Sequence, residues 1–74
     1  MRSISAREAI RAFERAGYRA DRTSGSHHVL KKPGEPGTLS VPVHRNRDLK
    51  PGTLRGLIRS SGLTVDQFWG FVDQ

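Results

Sequence analysis

At 74 residues, this chain has room for one small domain spanning 1–74, and such a domain buries only about 60% of the surface its unfolded chain exposes. It has no cysteine, which excludes disulfides, thiolate nucleophiles, thiolate zinc sites and iron–sulfur clusters and fits a reducing compartment. No apolar run approaches the ~20 residues of a membrane helix or the core of a signal peptide, so a cytoplasmic protein is expected, with no role in a membrane.

Thirteen Lys and Arg face seven Asp and Glu, for a net charge of +6. Outside residues 19–59 the charges cancel: Arg2, Arg7, Arg11 and Arg15 stand against Glu8, Glu14, Asp66 and Asp73. The whole excess therefore lies in the middle of the chain, where Arg19, Arg22, Lys31, Lys32, Arg45, Arg47, Lys50, Arg55 and Arg59 meet only Asp21, Glu35 and Asp48. A concentrated positive field attracts polyanions. No segment joins a basic face to a strong leucine or aromatic face, as a membrane-surface helix would. Nucleic acid is the partner class this charge favours, against a merely solvating surface.

The first helix is announced by Ser5-Ala6-Arg7-Glu8, a capping box in which the Ser5 hydroxyl accepts from the Glu8 amide and the Glu8 carboxylate reaches back. Ala6, Ala9, Ile10, Phe13 and Ala16 form its apolar stripe, and Gly17 ends it. Arg7, Arg11 and Arg15 make a second stripe, expected to be a solvated face. Three strands follow. Tyr18 to Arg22 places Tyr18 and Ala20 on one side and Arg19 and Asp21 on the other. Thr23-Ser24-Gly25-Ser26 is a hairpin turn, His27 to Lys32 the second strand, and Pro33 to Gly37 a longer turn. Thr38 to Val43 directs Leu39, Val41 and Val43 to the core, with Pro42 at a strand end or edge.

Pro51 opens a second helix, with Leu54, Leu57 and Ile58 buried, Arg55 and Arg59 outward and Gly62 at its end. Thr64-Val65-Asp66-Gln67 is another capping box, starting a short tail helix with Val65, Phe68, Trp69, Phe71 and Val72. That helix is apolar almost all round, so it packs on the sheet or meets a partner. The expected fold is α+β, in the order α-β-β-β-α with a short C-terminal helix: a three-stranded antiparallel meander, helices on one face, the other face open and polar. This is the order of double-stranded-RNA-binding domains, which read A-form RNA by shape, phosphates and 2′-hydroxyls.

Only His27, His28 and His44 suit proton chemistry near neutral pH. The acids are scattered, and there is no P-loop, GxSxG or HExxH. His27 and His28 are neighbours on a strand and point to opposite faces, so they cannot grip one metal ion; no metal site and no cofactor are expected. A histidine just after the Gly25 turn, in the most basic stretch, could take a proton from a ribose 2′-hydroxyl or give one to a leaving 5′-oxygen, or it could be a plain surface residue. Lys31, Lys32 or Arg45 could stabilise charge growing on the phosphate.

The run Gly25-Ser26-His27-His28-Val29-Leu30-Lys31-Lys32-Pro33, then Val41-Pro42-Val43-His44, then Leu49-Lys50-Pro51-Gly52-Thr53-Leu54-Arg55-Gly56-Leu57-Ile58-Arg59 and Gly62-Leu63-Thr64, resembles the HicA family of toxin mRNA interferases. The likeness runs from the first helix to Phe68. It implies a double-stranded-RNA-binding-domain-like fold, metal-independent endonucleolytic cleavage of mRNA, and neutralisation by a HicB-type antitoxin. It also implies a catalytic histidine directly after the Gly-Ser pair, which is His27; in some members it falls one residue later, which is His28. The candidate RNA-contacting residues are Lys31 and Lys32 beside it, and His44, Arg45, Arg47, Lys50 and Arg55 further along. Lys32-Pro33 stands where the family often has His-Pro, so Lys32 brings charge but no neutral base. The alternative is a non-catalytic double-stranded-RNA-binding module of the same fold. A helix-turn-helix DNA binder fits poorly with the Gly- and Pro-punctuated middle.

Overall fold

A computed structural model describes residues 2–45 and 47–74. The elements run α1 (Ala6–Arg15), β1 (Arg19–Ser24), β2 (His27–Lys31), β3 (Thr38–Pro42), α2 (Pro51–Ser61) and α3 (Val65–Val72). This is the expected α+β, double-stranded-RNA-binding-domain-like architecture, with an antiparallel sheet ordered β1-β2-β3.

Local chemistry explains the ends of α1. The Ser5 hydroxyl oxygen accepts from the Glu8 N–H (3.2 Å). The return bond differs from the expected one, because the Glu8 carboxylate accepts from the Ser5 hydroxyl (2.9 Å). The Ser5 backbone instead bridges to Asp48, and the Leu49 N–H donates to the Ile4 carbonyl (2.9 Å). Ile4 and Leu49 are both buried, so the segment entering α1 is tied to the segment entering α2. At the other end Gly17 takes φ 110°, the Gly17 N–H donates to Glu14 O, and the Tyr18 N–H to Phe13 O. Those two bonds make a Schellman stop, and its apolar contact is the edge-to-face pair of Phe13 and Tyr18, with centroids 6.0 Å apart.

The sheet departs from the expected boundaries in β1. The strand continues through Thr23 and Ser24, so the hairpin loop is only Gly25-Ser26, with Gly25 at φ 59°. A positive φ at the first of two loop residues matches the twist of the strands it joins. Asp21 is an extra residue: Ala20 pairs with Leu30 and Arg22 with Val29. This bulge breaks the simple alternation and moves Arg22 onto the same face as Arg19.

Leu30, Leu39 and Val41 face the helices and join Phe13, Leu54, Leu57, Ile58 and Phe68 in one core. Phe68 lies 5.0 Å from Phe13 between ring centroids. The tail helix α3 packs on α1 rather than on the sheet. Arg15 fixes it there, its Nη1 donating to the Phe71 carbonyl (2.8 Å), so the last member of the arginine stripe is structural. Arg2 adds a second tie, stacked 4.5 Å from the Trp69 ring centre and forked onto the Asp73 carboxylate at 3.0 and 3.2 Å. That donation holds the Asp73 carboxyl below its ordinary range.

Candidate functional site

Cross-strand partners share a face, so the register defines the open side of the sheet as three rows: Arg19–Lys31–Thr38, Arg22–Val29–Ser40 and Ser24–His27–Pro42. His27 is exposed at the hairpin end of this face. His28 points the other way, half-buried, in the row of Thr23 and Val41. The two histidines are therefore separated by the sheet, as adjacent strand residues must be.

β3 leads from His27's row into a groove of about 720 Å³ lined by Pro42, Val43, His44, Arg45, Arg47, Asp48, Leu49, Lys50 and Thr53. Three permanent cations and one histidine share it with a single carboxylate. Lys50 and Thr53 bring the start of α2 into its lining, where Lys50 is the N-cap residue, makes no side-chain cap bond, and is followed by Pro51 with no acid in the first turn. The first amides of a helix have no intrahelical acceptor, and the helix dipole is positive there. The groove therefore suits an anion. Arg45 holds a left-handed backbone, φ 52°, and the Arg47 N–H donates to the His44 carbonyl (3.0 Å), which turns the chain sharply after His44.

The predicted RNA-contacting residues thus divide by place. His44, Arg45, Arg47 and Lys50 line this groove. Lys31 and Lys32 line a smaller one, about 440 Å³, at the far end of the sheet with Arg19, Asp21 and Glu35. Lys31 shares His27's face, four residues or about 13 Å along the strand. Lys32 is half-buried with its Nζ 5.6 Å from the Tyr18 ring centre, and a Cβ on Gly17 would lie 3.4 Å from its Cε. Packing occupies that lysine. Burial raises the Tyr18 hydroxyl above its ordinary range, with Glu35 adding to the effect. Arg55 is exposed on α2 and lines neither groove.

Sequence reasoning passed over Arg19 and Arg22 as open-face cations, because the Asp21 bulge hides their shared side; Arg22 is partly engaged by Asp21 at 2.8 Å. Thr53 was also passed over, since nothing in the sequence marks a groove. Among the described residues, no group of three or more metal-ligating side chains comes together, and no helix is long and apolar enough to cross a membrane.

No curated protein matches the chain. The family model described as HicA toxin of bacterial toxin-antitoxin matches residues 6–63, a span that takes in α1, the sheet, both grooves and α2. With that model covering most of the 74 residues, the chain belongs to the HicA family of toxins of bacterial toxin–antitoxin systems.

Proposed function

We propose that this toxin is a single-domain endoribonuclease that cleaves mRNA in the cytoplasm, with His27 as the general acid or base and no metal cofactor. The observation that carries the reading is the position of His27: exposed on the open face, with its cross-strand partner Pro42 on the wall of the cationic groove. A phosphodiester held by Arg45, Arg47 and Lys50 at the start of α2 would lie beside an imidazole free to exchange protons with it. Lys31, on the same face, suits a phosphate further along the strand. Lys32 contributes less, because it packs over Tyr18. His28 is the second candidate for the catalytic role, disfavoured by its half-buried place on the helix side. The partner is a HicB-type antitoxin whose acidic surface covers the groove and His27, which closes both to RNA.

Purified protein assayed on RNA in EDTA tests this. His27→Ala should lower cleavage by about 10²–10⁴-fold, the usual contribution of general acid–base catalysis, while leaving the melting temperature and most RNA affinity intact. His28→Ala should keep most activity. Binding without cleavage by the wild type would instead identify a non-catalytic RNA-binding module.

A further inference from the structure

His27 alone can assist one proton transfer at a time, yet cleavage of an RNA phosphodiester by its own 2′-hydroxyl moves two. The arrangement around Pro42 supplies a second group. His27 pairs with Pro42 at the last rung of the β2–β3 ladder, and the Val43 N–H still donates to the Ser26 carbonyl at 2.7 Å, so antiparallel pairing continues one residue beyond the strand. His44 follows, two residues past the partner of His27. In a regular antiparallel pair that diagonal places residues of one face about 7–8 Å apart, a span that a phosphate group can bridge. His44 is exposed, it lines the same groove as Pro42, and the turn made by Arg45 and Arg47 starts directly after it.

Building on the ribonuclease reading above, we infer that His44 is the second proton-transfer residue of the reaction, working as a pair with His27. One histidine, neutral, removes the proton from the 2′-hydroxyl. The 2′-oxygen forms its bond to phosphorus, and the bond from phosphorus to the 5′-oxygen breaks, its electron pair leaving with that oxygen. The other histidine, protonated, delivers its proton to the 5′-oxygen. The products are a 2′,3′-cyclic phosphate and a 5′-hydroxyl, with no net gain or loss of protons or electrons. Arg45, Arg47 and Lys50 neutralise the phosphate during the exchange, and Asp48 is the one carboxylate among the groove residues. Across from His27, β1 and β3 present the uncharged Ser24 and Pro42.

The test compares wild type, His27→Ala, His44→Ala and His44→Arg on two substrates: an RNA oligonucleotide, and a ribonucleoside 3′-phosphodiester with a 4-nitrophenyl leaving group. The second leaves without needing a proton. Both alanine variants should lose at least 10²-fold on RNA, with 2′,3′-cyclic ends on the wild-type product. Exactly one of the two should recover on the nitrophenyl ester, and that one carries the acid. The bell-shaped dependence of wild-type kcat/KM on pH should lose one limb in each alanine variant. Near-wild-type cleavage by His44→Arg would mean that His44 only binds phosphate, and would overturn the pair. So would unimpaired cleavage by His44→Ala while His27→Ala is dead, or 3′-phosphate ends formed without a cyclic precursor; the first of these leaves the ribonuclease reading standing. A wild type that cuts no RNA ends both.

Discussion

Arg45 is the only described non-glycine residue with a positive φ, 52°, and it sits in the wall of the cationic groove. A left-handed backbone costs an L-residue roughly 1–2 kcal/mol, whereas glycine adopts it freely but loses more entropy on folding, roughly 0.5–1 kcal/mol. The two terms nearly offset, so Arg45→Gly should leave stability within about 1 kcal/mol of wild type, or slightly above it. RNA affinity should nonetheless fall, because a guanidinium leaves the groove. Denaturant melts and RNA titrations on the same preparation check this; a large loss of stability would mean that the side chain, not the turn, is what the fold needs. The contrast with Gly25 is instructive for what a sequence reveals. Glycine flanked by strand patterns announces a positive φ, and the structure has one there, 59°. Arginine announces nothing, so the turn that follows His44 was invisible until the chain was folded.

Helix starts were legible where a side chain does the capping. Ser5 and Thr64 each accept an amide as their spacing implied, and Thr64 has its full reciprocal pair with Gln67. The start of α2 was legible from Pro51, with the Leu54, Leu57 and Ile58 stripe behind it, and its cap position is held by Lys50, whose side chain caps no amide. A helix that forgoes its cap gives up about 1 kcal/mol compared with Ser, Thr, Asp or Asn at that position. On the proposed ribonuclease reading the uncapped amides and the lysine would instead serve an incoming phosphate. Lys50→Ser should therefore raise the unfolding free energy by roughly 0.5–1 kcal/mol and weaken RNA binding in the same protein. Opposite movement of the two is the expected outcome, read by denaturant unfolding and by an RNA binding isotherm; parallel movement would place the α2 N-terminus outside the interface. Two features of the elements had no local signal. The Ile4–Leu49 pairing joins residues 45 apart in sequence, and the Asp21 bulge depends on how β1 meets β2. Both arise from long-range pairing, which hydrophobic period does not encode.

At the scale of the whole molecule, the charge of +6 is one number, but its parts do different work. Arg2 and Arg15 hold α3 through Trp69, Asp73 and the Phe71 carbonyl. Lys32 lies over Tyr18, and Arg22 is paired with Asp21. The groove cations and Lys31 have no such partner among the contacts of the described residues. Salt dependence separates these classes, because each phosphate neutralised on a single strand contributes about −0.7 to the slope of log K against log salt. Lys50→Ala and Lys31→Ala should each flatten that slope by about 0.7 and weaken binding at low salt. Lys32→Ala should leave the slope nearly unchanged and act on stability instead, since its stem and ammonium pack against Tyr18 beside Gly17. Binding isotherms across a salt series, with a melt for each variant, give both quantities at once. Equal slopes for all three variants would mean that the positive field acts as a diffuse cloud; unequal ones would mark a track of phosphates running from the groove past His27 toward Lys31.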